Sequence, residues 1–177
     1  KPDERIDWWY HNLSSITEAG VAEITNQLEY DDEVAHFARQ RLFDLARAPD
    51  GRPFCLTVSF THPHDPYVMR RRYWDLYADT EIPMPAKISY AEQDPHSRRI
   101  LDSCDFRRFN VGEDHIRDAR RAYFAAISYL DEKIGELLQT LATCGFADNT
   151  IVVFTSAGSP MASTSPPRNS TATAATS

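Results

Sequence analysis

The stretch Pro53 to Tyr67, PFCLTVSFTHPHDPY, limits the possible folds more than any other part of the chain. Its first half, Phe54 to Phe60, is a short run of β-forming residues in which only Thr57 and Ser59 are polar. That is the pattern of a strand buried on both faces of a parallel sheet. Its second half, Thr61-His62-Pro63-His64-Asp65-Pro66-Tyr67, cannot continue a central strand, because Pro63 and Pro66 have no amide to donate to a ladder. The chain is therefore expected to leave the sheet at Thr61, carrying two imidazoles and a carboxylate. In open α/β sheets ligands bind in the crevice beyond the carboxyl ends of the strands. A proline-stiffened loop at that place is a candidate site.

A second β-branched run, Thr150 to Thr155, predicts another strand, parallel to the first. Before it, apolar residues recur at helical spacing from His115 to Ala142, with one broad face through Ile116, Ala119, Tyr123, Ala126, Ile127, Leu130, Ile134, Leu137, Leu138 and Leu141. Gly145 ends that helix, and Asp148-Asn149 turns the chain into the strand. Strand, long connection, helix and strand form a crossover unit, so the expected fold class is α/β with a mostly parallel sheet flanked by helices. Upstream, Asp31 and Asp32 are expected to cap a helix running to Arg47 on the face of Val34, Phe37, Ala38, Leu42 and Leu45, with no chemistry on it. The triplet Arg70-Arg71-Arg72 and the group Asp131-Glu132-Lys133 read as solvated charged surface. Tyr73 to Cys104 reads as a long connection with one short helix.

Charge and cysteine usage narrow the function. The net charge of −7 excludes an ordinary nucleic-acid binder, which needs a basic face, and favours a cationic small molecule. Three cysteines at wide spacing suggest neither a disulfide framework nor a zinc site, and Cys55 and Cys144 read as small hydrophobes. No apolar run approaches the length of a membrane span. Trp8, Trp9 and Tyr10 stand side by side, either as ordinary core or rim or as an aromatic wall for a quaternary ammonium.

The motif SFTHPHDPY resembles the sulfatase family, and within it the choline-sulfatase branch. Asp7-Trp8-Trp9-Tyr10-His11-Asn12 and Thr25-Asn26-Gln27-Leu28 resemble the same branch, and AISYLDEKIGELLQTLATCGFADNTIVVFTS from Ala126 resembles sulfatases and related phosphoesterases generally. The resemblance runs from Lys1 to Ser156. It implies an alkaline-phosphatase-like α/β domain, of which 1–156 would be an interior fragment. It implies hydrolysis of a sulfate ester, choline-O-sulfate to choline and sulfate, in choline metabolism, and by analogy with bacterial enzymes a cytoplasmic location. His64 takes the place of the family histidine that contacts the sulfate or its leaving oxygen, with His62 the less favoured occupant, and Trp8 and Trp9 become substrate-binding candidates.

Other family features are missing. The cysteine that becomes formylglycine lies in Cys-x-Pro-Ser-Arg, which none of Cys55-Leu56-Thr57, Cys104-Asp105-Phe106 or Cys144-Gly145-Phe146 matches. The family's calcium-type divalent cation is held in part by Ser-Asp-His-Gly, where this chain reads Ser156-Ala157-Gly158-Ser159, so no metal ligand is assigned. Residues 157–177 are almost wholly Ala, Ser, Thr and Pro, which predicts a disordered tail, arising from a frameshift or mis-assigned end or else a natural extension. The chain alone is accordingly expected to be inactive. The residues by themselves also allow His64 to be a loop histidine bonded to backbone, or His62-x-His64 to be a zinc pair, which Pro63 and the lack of a nearby third ligand disfavour. The rival functions are a non-catalytic remnant that binds choline, and another sulfatase or phosphonate-ester hydrolase. The oligomeric state is not legible.

Overall fold

The longest helix organises the rest. In the computed structural model, which describes residues 13–47, 52–104 and 106–156, α5 spans Glu113–Thr143, about 46 Å at the ordinary helical rise. Glu113 and Asp114 in its first turn complement the positive end of the helix dipole. Its far end closes on Gly145, whose φ of 75° suits a residue without a Cβ. The Gly145 amide donates to the Ala142 carbonyl at 3.0 Å and the Phe146 amide to Leu141 at 3.1 Å, so orphan carbonyls of the last turn are satisfied. The helix and its glycine stop are as the sequence predicts. The buried face is narrower than expected: Ala119, Ala122, Ala125, Ala126 and Tyr129 lie inside, while Ile127 and Leu138 are exposed. Four alanines let neighbouring backbones approach this face closely.

Against it pack α1 (Ser14–Thr17), β1 (Gly20–Val21), α2 (Asn26–Arg47), β2 (Val68–Met69) and α3 (Arg71–Trp74). Leu28, Met69, Tyr73, Ala125, Ala126 and Tyr129 form the core they share. β1 and β2 pair in parallel, Gly20 opposite Val68 and Val21 opposite Met69. The Gly20 amide donating to Tyr67 O at 3.0 Å and the Ala22 amide to Met69 O at 3.2 Å extend the pairing at each end. After α3 the chain is fastened to α5 by Arg121, which donates from Nε to the Trp74 carbonyl at 3.0 Å and lies over the Trp74 ring. Tyr77 Oη meets Ser128 Oγ at 2.7 Å. The long connection contains one nine-residue helix, α4 (Pro95–Ser103), capped by the Asp94 carboxylate, which accepts from the His96 and Ser97 amides.

Three expectations are corrected. α2 begins at Asn26, five residues before the expected start, because Thr25 Oγ1 accepts the Leu28 amide at 3.1 Å and caps the helix there. Its buried stripe is Leu28, Asp31, Ala35, Ala38 and Leu42, at alternating spacings of three and four, and Phe37 is 61% exposed. Second, 52–60 and 150–156 form no regular secondary structure: among the described residues neither joins a ladder and they do not pair with each other. β-propensity supplies a backbone shape, but a strand also needs a neighbour's donors and acceptors. Cys55 is consequently exposed, and Ile151 and Phe154 are 91% and 76% exposed. A T-shaped contact between Phe54 and Phe146, 5.3 Å between centroids, anchors the first segment near the end of α5. Third, the basic triplet is not uniformly solvated: Arg70 is ion-paired inward, as described below.

Candidate histidine-loop site

The segment from Thr61 to Tyr67 forms a tight loop, with both X–Pro bonds, His62–Pro63 and Asp65–Pro66, cis. Its anchor is Asp31. Both oxygens of this fully buried carboxylate are occupied: Oδ1 accepts from the Thr61 amide at 2.8 Å and from Thr61 Oγ1 at 3.0 Å. Oδ2 accepts from the His62 amide at 3.0 Å and from His62 Nδ1 at 2.6 Å. Burial pushes the Asp31 carboxyl up, but the His62 imidazole and the two amides outweigh it and hold the group below its ordinary value. Both Asp31 oxygens already accept from the amides and the hydroxyl, so the carboxylate is the acceptor in the short bond as well and His62 Nδ1 is its donor. The His62 ring, 5% exposed, lies edge-on to Tyr129 at 5.2 Å, and its Nε2 is buried with no partner among the described residues.

His64 faces the other way, with 61% of its side chain exposed. Its Nδ1 lies 2.9 Å from the Asp65 carbonyl and 2.7 Å from the Asp65 carboxylate. A carbonyl oxygen can only accept, so this nitrogen carries the proton. Gln27 Nε2 donates to the His64 carbonyl at 3.0 Å, and the His64 amide turns back to Thr61 O at 3.1 Å. The loop thus buries one histidine and presents the other. Tyr67, which leads into β2, has its hydroxyl pushed up by burial and by the nearby Asp65 charge.

Beside this clamp, Asp32 gathers three donors, Arg70 from the junction of β2 and α3 and Tyr129 and Lys133 from α5. Arg70 reaches it at 2.5 Å, Lys133 at 2.9 Å and Tyr129 Oη at 3.0 Å. Burial acts to raise its pKa, and the donors outweigh it, lowering the carboxyl to about 2. The Tyr129 hydroxyl is in turn pushed well above its usual range by burial and by the Asp32 charge. Arg72 pairs with Glu132 at 2.7 Å across the same α3–α5 seam. Glu132 and Lys133 thus form ion pairs between elements, and Lys133, with 14% of its side chain exposed, is not the solvated surface charge expected from the sequence.

His62 and His64 fall on one loop but in opposite environments. Trp8 and Trp9 lie outside the described residues, as do Ala157 and Gly158. Among the described residues no cluster of His, Cys, Asp and Glu could hold a metal. The adjacent α2 carboxylates do not fit calcium, because Asp31 is filled by four donors and Asp32 by two cations and a phenol. No metal-dependent step is derived from them. Asp31 and Asp32 are the site residues that sequence reasoning missed. The available signal was the core stripe itself, in which an aspartate occupies a position otherwise held by Leu and Ala.

Comparison with known proteins decides the family. The sulfatase family's sequence profile matches residues 4–170. The chain is a member of the sulfatase family. The family match runs past Ser156, where the motif resemblance stops. The chain is 62% identical over 161 residues to the choline-sulfatase of Rhizobium meliloti, covering 88% of this chain and 31% of that protein. It is 30% identical over 112 residues to an arylsulfatase of Clostridium perfringens, covering 63% of this chain and 23% of that one. The multifunctional alkaline phosphatase superfamily protein PehA of Trinickia caryophylli is 24% identical over 168 residues, 88% of this chain and 32% of PehA. The chain thus spans about a third or less of the length of these sulfatase-family relatives. Family membership sets the two-stranded parallel sheet and the helices packed with it within an alkaline-phosphatase-like α/β domain. No helix among the described residues is long and apolar enough to cross a membrane.

Proposed function

We propose that this chain is the histidine-loop segment of a sulfuric ester hydrolase acting on choline-O-sulfate. The observation that carries the reading is the 62% identity to choline-sulfatase across 88% of the chain, in a region that includes the whole THPHDPY loop. On this reading His64, exposed and held at Nδ1 by Asp65, contacts the sulfate or the leaving oxygen. An imidazole at that position can stabilise an anion or deliver a proton to the departing alcohol. His62 is the weaker candidate for that contact, since its ring is buried against Tyr129 and bound by Asp31. Trp8 and Trp9 would supply the aromatic face for the trimethylammonium group. The formylglycine that attacks sulfur and the carboxylates that hold calcium belong to parts of the domain other than these residues, so the chain by itself should not turn over substrate.

Two constructions test this. The 177-residue chain, incubated with choline-O-sulfate, should release no more sulfate than its His64→Ala variant. A chimera in which residues 1–156 replace the matched segment of the Rhizobium meliloti choline-sulfatase should hydrolyse choline-O-sulfate. A folded chimera that cleaves an aryl sulfate or a phosphonate ester and ignores choline-O-sulfate would move the substrate assignment toward the broader specificity that the similarity to PehA allows. Heat released on mixing the chain alone with choline would instead favour a non-catalytic choline-binding remnant.

A further inference from the structure

The loop that carries His64 is held from outside itself. Two side chains on α2, one helical turn apart, grip it at successive points. Asp31 takes the Thr61 amide and hydroxyl and the His62 amide and Nδ1, and Gln27 donates to the His64 carbonyl. Every one of these donors and acceptors belongs to the stretch of chain that decides where the His64 side chain emerges. The buried His62 ring has no second polar partner among the described residues, so its orientation depends on the Asp31 bond and the edge contact with Tyr129.

We propose that Asp31, assisted by Gln27, is a positioning residue that fixes the direction in which His64 is presented and locks His62 as the Nδ1–H tautomer. The part of this that concerns turnover rests on the sulfatase reading above, in which His64 meets the sulfate. Asparagine is the informative replacement, because it preserves volume and removes one acceptor. Whichever way its amide faces, an NH2 group confronts donors that the carboxylate had accepted. The Asn nitrogen next to His62 would drive the imidazole to the Nε2–H tautomer. A buried aspartate whose loss leaves a histidine in the wrong tautomer is a known way to disable a site while its geometry survives.

The test uses the full 177-residue chain labelled with 15N. In the unsubstituted chain the imidazole spectrum of His62 should show Nδ1 protonated, and the Thr61 and His62 amides should be protected from exchange. Amides that exchange there as in an open loop would overturn the proposal without any variant. In Asp31→Asn, at least one of the Thr61 and His62 amides should exchange at least about tenfold faster, with His62 changing tautomer where the NH2 takes the place of Oδ2, while the Leu141 amide on the far turn of α5 is unaffected. An unchanged tautomer with unchanged exchange would also overturn it. Should Asp31→Asn fail to fold, His62→Gln retains the carboxylate and should leave the Thr61 amide protected; loss of that protection would place the clamp in the imidazole and refute the role of Asp31. In the chimera, Asp31→Asn should lower kcat per folded enzyme by about 10-fold or more with KM moving less than about threefold. A chimera inactive with Asp31 intact counts against the sulfatase reading alone, since tautomer and exchange are measured without turnover.

Discussion

The histidine loop, marked in the sequence by Pro63 and Pro66, and the segments 52–60 and 150–156, marked by apolar β-forming runs, end in opposite states. The loop is tied to α2 through Asp31 and Gln27, to β1 through the Gly20 amide on the Tyr67 carbonyl, and to α5 through the edge contact of His62 with Tyr129. Segment 150–156 offers Ile151, Val152, Val153 and Phe154 to solvent, with no ladder among the described residues. What separates them is the supply of partners. A proline-rich loop with few backbone bonds of its own becomes fixed when buried side chains satisfy its donors, whereas a strongly β-forming run remains unpaired without a neighbouring edge.

That contrast can be broken by mutation. The largest expected effect is at Asp31→Ala, which leaves two amides, a hydroxyl and an imidazole without their acceptor. It should cost about 3–5 kcal/mol in denaturant unfolding, the range for removing one partner of a buried pair. A cost below about 1 kcal/mol would show that the loop stands without its clamp. Asp32→Ala should be milder, about 1–3 kcal/mol, because Asp32 is partly exposed and Arg70 and Lys133 keep some access to water, while the fully buried Tyr129 hydroxyl loses its acceptor.

The Asp32 contribution should also depend on pH in a defined direction. Its folded pKa is lowered from 3.8 to about 2, so the stabilisation is present above the ordinary carboxylate range and is lost as pH falls through about 2. Asp31 is lowered as well and acts in the same sense. Acid unfolding followed by circular dichroism should therefore be shallower in Asp32→Asn over that window. A steeper transition in the variant would contradict the network. The smallest effect belongs to the other region: Phe154→Ser should change the stability of the chain by no more than about 0.5 kcal/mol, as for an exposed side chain. A loss above about 2 kcal/mol would mean that this segment is packed and the contrast is wrong.

Much of the architecture was legible because its signals are local. Helical periodicity gives α5, Gly145 gives its end, and the THPHDPY motif gives the loop and the family. The start of α2 was misplaced because two adjacent acids imitate a cap, while Thr25, the residue that caps, is a weaker compositional cue. Reading Asp31 as a cap also hid its role. A carboxylate on the stripe Leu28, Asp31, Ala35, Ala38, Leu42 must be desolvated and so must have buried donors, and Thr61 and His62, 30 and 31 residues away, supply them. The pairing of 52–60 and 150–156 was expected from composition alone, which does not specify a neighbour. The difference between His62 and His64 is likewise tertiary: both sit in one motif, and only the fold turns one into Tyr129 and the other outward.

The measurement that bears most directly on the account is kcat/KM for choline-O-sulfate in the chimera, with and without His64→Ala. If the loop presents His64 to the sulfate, the substitution should lower kcat/KM by about 10²–10⁴-fold, the range for losing a positioned acid–base or anion-stabilising group. A change of less than about threefold in a folded, active chimera would show that His64 does not meet the reacting ester, and the site would have to be sought elsewhere in the chain.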